Sequence, residues 1–373
     1  MRRTLVVTND FPPRAGGIQA YVHELALRQP AGSVVVFAST SPGAAEFDAA
    51  QPFPVVRHPT SMLLPTPAVA RRVRDVARSE GCTVAWFGAS APLALLAAGL
   101  RTAGVQRIVA ASHGHEIGWA ALPGSRQLLR RIGDHVDVVT YLTEYTHARI
   151  ASAYGPRPEF AWVPPGVDTT AFRPDVSGAA IRERHGLGDR PTVVCVSRLV
   201  PRKGQDTLIR AWPMVRSRIP GAVLLIVGEG RYLPQLRKLV AQQGLDKDVV
   251  FTGGVPWAEL PQHYAAGDVF AMPCRTRRAG MDVEGLGIVY LEASATGLPV
   301  VGGDSGGAPD AVLPGETGWV VPGRSVGAVA DRVSTLLADP AGARAMGEKG
   351  RAWVERDWRW ESLAARLGEL LQG

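Results

Sequence analysis

The chain has 373 residues, enough for two domains of ordinary size, and is 46% apolar and 20% charged. That balance excludes a disordered chain. Its 42 glycines and 29 prolines, scattered without a G-X-Y period, exclude collagen and low-complexity linkers. The net charge of +7 rests almost wholly on arginine, since Lys203, Lys238, Lys247 and Lys349 are the only lysines. Arg-rich codon usage and attraction to an anionic partner both account for that charge.

Met1-Arg2-Arg3 leads into a short apolar strand over 5–8 and not into the core of a signal peptide. A glycine-containing loop then opens a helix over 19–28, followed by a strand over 34–38 and a helix over 67–78. Residues 81–100 carry no charge, a run long enough to suggest a membrane span. Gly88, Ser90 and Pro92 interrupt it, so it reads as a strand (83–87), a loop and a buried helix (92–102). Strands over 107–111 and 136–141 complete the first half. The alternation predicts βαβ units and a parallel sheet covered by helices on both faces.

The rhythm pauses at Pro164-Pro165-Gly166-Val167-Asp168 and Phe172-Arg173-Pro174, then restarts. Strands are expected over 193–196, 223–227, 249–251, 269–272 and 299–301, with helices over 205–218, 232–243 and 286–296. An amphipathic stretch over 363–371 closes the chain. The expected fold class is α/β: two Rossmann-like, doubly wound domains, over 1–168 and 169–355, facing a central cleft. A C-terminal helix of about 356–373 is able to pack back on the first domain. In such sheets ligands bind beyond the carboxyl ends of the strands. Cys82, Cys195 and Cys274 lie far apart with no metal spacing, which suits a reducing compartment. A cytosolic chain is expected, one able to touch a membrane but not to span it.

Four loops carry chemistry. After the first strand, Gly16-Gly17 lets backbone N–H groups at a helix start approach a phosphate; a plain tight turn is the competing reading. There is no G-x-G-x-x-G, so an NAD site is poorly supported. In the second half, Ser197-Arg198-Leu199-Val200-Pro201-Arg202-Lys203-Gly204 places cations at a strand end. There Arg198 can fork onto a diphosphate and Lys203 can act as a point charge. In Asp282-Val283-Glu284-Gly285-Leu286-Gly287-Ile288-Val289-Tyr290-Leu291-Glu292, the N–H groups of Leu286, Gly287 and Ile288 form an anion site beside Gly285. Eight residues turn a helix by roughly 800°, which puts Glu292 on the face of the helix start, where it can accept from a ribose diol. Glu284 is poised for sugar hydroxyls, because two carboxylates around a basic loop suit phosphate with polyol on either side. Ser112-His113-Gly114-His115-Glu116 follows a strand of the first half; without a further ligand cluster it is weak support for a metal.

These pieces, in this order, resemble the retaining glycosyltransferases of family 4, which have the GT-B fold. Thr8-Asn9-Asp10-Phe11-Pro12-Pro13, Ser112–Glu116, Arg198–Asp206 and Asp282–Glu292 are similar, within that family, to the actinobacterial phosphatidylinositol mannoside mannosyltransferases. The resemblance implies GDP-mannose as donor, a phosphatidylinositol monomannoside (acylated or not) as acceptor, no metal cofactor and a place on the inner face of the plasma membrane. It also implies roles. Arg198 and Lys203 neutralise the diphosphate, and Gly16, Gly17 and the N–H groups near Gly287 complete its cradle. Glu292 holds the ribose, Glu284 the sugar hydroxyls and His113 the region of the C6 hydroxyl. No protein nucleophile is placed.

Contact with an anionic membrane is suggested by Arg71, Arg72, Arg74 and Arg78 around the stripe Val69, Val73 and Val76, and by Arg126, Arg130 and Arg131 around Leu128, Leu129 and Ile132. Ordinary surface helices with core-facing stripes are the alternative. Nucleic acid is not expected, because these arginines are flanked by Val and Leu and not by stacking aromatics. Two other enzyme readings stay open on the residues alone: a family 4 transferase using a UDP-sugar with a soluble acceptor, and a sugar-nucleotide epimerase of the same fold.

Overall fold

The structure is a computed structural model that describes residues 2–373. The chain divides into two compact units, the first running through Gly166 and taking back Trp360–Gly373, the second spanning Val167–Arg359. The first unit contains, in chain order, β1 (Thr4–Thr8), α1 (Gly17–Leu27), β2 (Val34–Ser39), α2 (Ala44–Ala49), β3 (Val55–His58), α3 (Pro67–Ser79), β4 (Val84–Phe87) and α4 (Ala97–Arg101). It continues with β5 (Arg107–Ala111), α5 (Glu116–Ala121), α6 (Pro123–Gly133), β6 (Val138–Tyr141), α7 (Glu144–Tyr154) and β7 (Glu159–Trp162). The second unit holds α8 (Ala179–Arg184), β8 (Thr192–Val196), α9 (Gln205–Arg218), β9 (Val223–Val227), α10 (Leu233–Gln242), β10 (Val249–Gly253) and α11 (Leu260–Ala265). After these come β11 (Val269–Met272), α12 (Ile288–Ala295), β12 (Val300–Gly303), β13 (Gly318–Val321), α13 (Val326–Ala338) and α14 (Pro340–Asp357); α15 (Trp360–Gln372) belongs to the first unit.

Both sheets are parallel throughout, in the orders β3-β2-β1-β4-β5-β6-β7 and β10-β9-β8-β11-β12-β13. The strand order therefore reverses between β1 and β4 in one sheet and between β8 and β11 in the other. At such a switch point the loops leaving two neighbouring strands turn to opposite faces, which opens a crevice at their carboxyl ends. The loops that matter below leave those strands and β5.

Central strands are buried on both faces, as parallel strands must be. Leu5 and Val7 join one core with Phe37, Phe87 and the buried face of α3, while Val6 joins the other with Trp86, Tyr21 and α15. The uncharged run over 81–100 becomes β4, a single 3-10 turn (Leu93–Leu96) and the short α4; the turn and α4 are buried in the first of these cores, and β4 contributes to both. Among the described residues no helix is long and apolar enough to cross a membrane.

β3, β7 and β13 were not expected. All are edge strands, and none is continuously buried; β3 carries Arg57 and His58 and β7 opens on Glu159, whereas β13, Gly-Trp-Val-Val, is apolar but only four residues long. α15 explains the amphipathic C-terminus: Leu363, Ala364, Leu367 and Leu371 close the core over β1, β4 and α1. Leu367 is fully buried there. Leu367→Ala is expected to cost about 2–5 kcal/mol of stability, read as a lower denaturant midpoint with an unchanged slope.

Candidate active site

The second unit's crevice is built by two loops. Beyond β8 the chain makes a 3-10 turn, Pro201–Lys203, and enters α9 through Gly204 at φ +80°. A Cβ at Gly204 would lie 2.0 Å from the carbonyl oxygen of Pro273, so the basic loop and the loop after β11 touch backbone to backbone. This brings Lys203 Nζ to 2.8 Å from Glu284 Oε2, with the two side chains 9% and 8% exposed. The Arg202 guanidinium lies between Glu284 at 3.6 Å and Asp282 at 3.7 Å. Arg198 is exposed and has no carboxylate partner among the described residues, leaving its fork open to an anion.

Glu284 is fixed through its backbone: its N–H donates to Ser305 Oγ at 3.1 Å and its carbonyl accepts from Gly307 N at 3.0 Å. α12 starts only at Ile288, behind Gly287 at φ +80°, with no side-chain cap and no acidic residue in its first turn. The helix expected over 286–296 is present but starts two residues later, because the left-handed Gly287 separates loop from helix. Gly285 is exposed and Leu286 is buried. Tyr290 N donates to the Gly287 carbonyl at 3.0 Å, the N–H groups of Ile288 and Val289 have no intrahelical acceptor, and a positive helix end stands beside Lys203's loop. Glu292 accepts from Tyr264 Oη at 2.6 Å. Burial raises its carboxyl above the usual range, and the Tyr264 hydrogen bond works against that rise.

In the first unit, Gly16 precedes α1, which has no side-chain cap and no acid in its first turn. A Cβ at Gly17 would meet nothing within 4 Å, so this turn is open to a ligand. His113 leaves β5 and crosses to β4, where its Nε2 stands 2.6 Å from the Gly88 carbonyl. A ring nitrogen facing a carbonyl must carry the proton, so in the neutral ring Nδ1 is an acceptor. Burial, the largest influence, pushes the His113 pKa down and favours that neutral ring. The Tyr21 ring supports the imidazole edge-on at a centroid distance of 5.1 Å. His115 Nε2 faces the Ala91 carbonyl at 3.1 Å. Both histidines thus point at backbone carbonyls, and the described residues contain no cluster of three or more His, Cys, Asp or Glu suited to a metal ion.

The profile of "Glycosyl transferases group 1" matches residues 178–353 and that of "Glycosyltransferase Family 4" matches residues 15–171. The chain is 55% identical over 380 residues to the GDP-mannose-dependent alpha-(1-6)-phosphatidylinositol monomannoside mannosyltransferase of Mycobacterium tuberculosis, covering 100% of this chain and 99% of that one. It is 48% identical over 376 residues to the GDP-mannose-dependent monoacylated alpha-(1-6)-phosphatidylinositol monomannoside mannosyltransferase of Corynebacterium glutamicum, covering 100% and 98%. The chain belongs to the family 4 glycosyltransferases. Among solved structures, Anabaena Alr3699/HepE in complex with UDP superposes with a TM-score of 0.81 at 19% identity, covering 100% of both chains. Sucrose-phosphate synthase from Thermosynechococcus elongatus superposes at 0.76 with 23% identity, covering 100% of this chain and 98% of that one. The fold is GT-B.

Two residues of the glycosyltransferase went unassigned in the sequence. Arg202 looks like one more cation of a solvated loop until its guanidinium is seen between Asp282 and Glu284. Arg275, beyond β11, is buried. Its Nη2 holds Asp206 at 2.9 Å, its Nη1 donates to Thr207 Oγ1 at 2.9 Å, and its N–H donates to the Arg202 carbonyl at 2.8 Å. It ties the β11 loop to the basic loop beyond β8 and to the start of α9, a role with no local motif to signal it.

The two arginine helices of the glycosyltransferase require a correction. Val69, Val73 and Val76 of α3, and Leu129 and Ile132 of α6, are core residues, and Leu128 is half-buried. Neither apolar stripe is available to lipid. Arg71, Arg72 and Arg78 remain exposed, Arg74 is half-buried, and Arg126, Arg130 and Arg131 are exposed. Arg126 caps Ala120 O and Ser152, and Arg130 pairs with Asp134.

Proposed function

We propose that this glycosyltransferase transfers mannose from GDP-mannose to a phosphatidylinositol monomannoside, forming the dimannoside with retention of anomeric configuration. The observation that carries the reading is 55% identity along the whole chain to enzymes of that printed name. The site geometry supports it, because cations, helix N–H groups and two carboxylates lie at the switch point of the second sheet.

Arg198 and Lys203 neutralise the diphosphate, with the N–H groups of the α12 entry completing the cradle, while those of Gly16 and Gly17 at the α1 entry offer an anion site of the first unit's own. Glu292 receives the ribose hydroxyls, and Glu284 receives those of mannose. His113, neutral and with Nδ1 open as an acceptor, takes the sugar's C6 hydroxyl. As the bond from the anomeric carbon to the diphosphate oxygen breaks, positive charge develops on the sugar ring. The acceptor hydroxyl oxygen attacks from the same face, and its proton passes to the departing phosphate. The cations stabilise the charge that grows on that leaving group. They supply the countercharge from the protein, and no metal enters the proposal.

Membrane contact in this proposal uses arginine, not an inserted helix. Arg71, Arg72 and Arg78 give α3 a cationic outer face. The loop entering α3 exposes Met62 (61%) and Leu64 (50%), and the entry to α6 exposes Leu122 (63%). Two or three apolar side chains beside a basic face suit the surface of an anionic bilayer. Replacing Arg71, Arg72 and Arg78 by Ser should weaken sedimentation with phosphatidylinositol vesicles and leave GDP affinity unchanged. Unchanged sedimentation rejects this surface.

The activity itself is tested with radiolabelled GDP- and UDP-sugars and lipid carrying the monomannoside. Label from GDP-mannose in a dimannosylated lipid is expected; label that requires a UDP-sugar, or none in lipid, overturns the reading. A pH dependence follows from Glu292. Ribose hydroxyls donate to the ionised carboxylate, and Tyr264→Phe removes the bond that opposes the rise of its pKa. GDP binding should therefore fail at a higher pH on acidification in Tyr264→Phe than in the wild type, as measured by calorimetric titration across pH.

A further inference from the structure

The reading above leaves one carboxylate beneath the His113 loop without a role. Glu116 opens α5 and is 0% exposed. Its Oε2 accepts from Ser112 Oγ at 2.8 Å, Gly114 N at 3.1 Å and His113 N at 3.2 Å. Its Oε1 is buried with no hydrogen-bond partner among the described residues; His115 Nε2, 3.4 Å away, is directed at the Ala91 carbonyl. Taking a carboxylate out of water is costly unless the charge is compensated. A glutamine would offer the same three donors an acceptor oxygen with no charge to desolvate. The loop's fold alone does not call for glutamate, so the charge itself needs a reason.

We propose that Glu116 is a positioning residue for His113: its buried carboxylate locks the peptide that carries the imidazole and keeps a fixed negative charge behind the ring. The inference rests on the assignment of His113 to the transferred sugar. The lock is geometric. Two successive N–H groups, those of His113 and of Gly114 at φ +92°, share one oxygen, which orients the turn so that Nε2 meets Gly88 and Nδ1 stays open. The charge acts through the imidazole: a fixed negative charge beside the ring strengthens Nδ1 as the acceptor of the sugar hydroxyl.

Charge and geometry separate experimentally. His113 faces Asp10 from the β1–α1 loop and Glu116, which favour its protonated form, and His115, which opposes it; burial opposes it most, and the Tyr21 ring from α1 lies against it. Glu116→Gln retains an acceptor and removes the charge, so protonation of His113 becomes harder. The acid limb of kcat/KM for GDP-mannose should move to lower pH, with kcat reduced roughly ten- to a hundredfold and GDP affinity within about twofold of wild type. Glu116→Asp retains the charge but shortens the reach; it should lower kcat and leave the limb in place. In a His113→Ala background, Glu116→Gln should add no further loss. A limb that stays in Glu116→Gln, a limb that moves in Glu116→Asp, or additive losses with His113→Ala overturn the inference. Wild-type transfer to lipid is the control: if it is absent, the underlying functional reading falls instead.

Discussion

Glu284→Gln is expected to bind GDP more tightly than the wild type while losing transfer. In the free protein Lys203 is not waiting for phosphate, because its Nζ lies 2.8 Å from Glu284 and both side chains are buried. A diphosphate arriving at Lys203 must share that cation with a carboxylate of its own sign. At about 5 Å and an effective dielectric near 20, such a repulsion is on the order of 3 kcal/mol. Part of it is offset by Arg202, 3.6 Å from the same oxygen. Removing the charge should raise GDP affinity by about tenfold, which is about 1.4 kcal/mol. The free variant should be less stable, since a buried cation left without its partner costs about 3–5 kcal/mol. GDP should therefore raise its melting temperature by more than it raises that of the wild type. Transfer should fall about a hundred- to a thousandfold, because the mannose hydroxyls lose a charged acceptor that strengthens as the ring becomes cationic. Calorimetry with GDP and a lipid-transfer assay read the two effects separately. If affinity falls together with turnover, the pair does not compete with the diphosphate.

This pairing also marks where sequence reasoning stops. The inner strands were legible because a parallel strand buried on both faces must be an uninterrupted apolar run, as Val223–Val227 is. Edge strands such as β3, with Arg57 and His58 among four half-buried residues, carry no such run and pass for loop. Candidate ligand groups were legible where cations or glycines stand at strand ends, a location that the doubly wound topology makes functional. What each group holds in the free protein was not. Lys203 with Glu284, Glu292 with Tyr264, and Arg275 with Asp206 and Thr207 join residues of different loops and helices, and no local spacing encodes such contacts. The Val69–Val73–Val76 stripe illustrates the opposite error. Amphipathicity reports that one face of a helix leaves water, and in α3 that face enters the protein core and not a bilayer.

Arg275→Met should be among the most damaging single changes in the second unit, and its rescue should be incomplete in an informative way. The Arg275 and Asp206 side chains are 10% and 15% exposed. Breaking such a pair from one side leaves a carboxylate buried without its cation, at about 3–5 kcal/mol. Replacing both partners by apolar side chains, as in Arg275→Met with Asp206→Leu, removes the unpaired charge and should recover most of that stability. It does not restore the bond from Nη1 to Thr207 Oγ1, whose hydroxyl in turn reaches the Gly323 carbonyl. The start of α9, one residue beyond Gly204, then loses its tie to the β11 loop, and Lys203 and Glu284 sit on the two elements that this tie joins. The double variant should therefore melt close to the wild type while its KM for GDP-mannose stays raised about tenfold or more, with a smaller change in kcat. Thermal melts and steady-state kinetics on the three proteins decide the matter. If stability and KM recover together, Arg275 serves the core alone; if KM lags behind, the guanidinium sets the spacing of the groups that grip the donor.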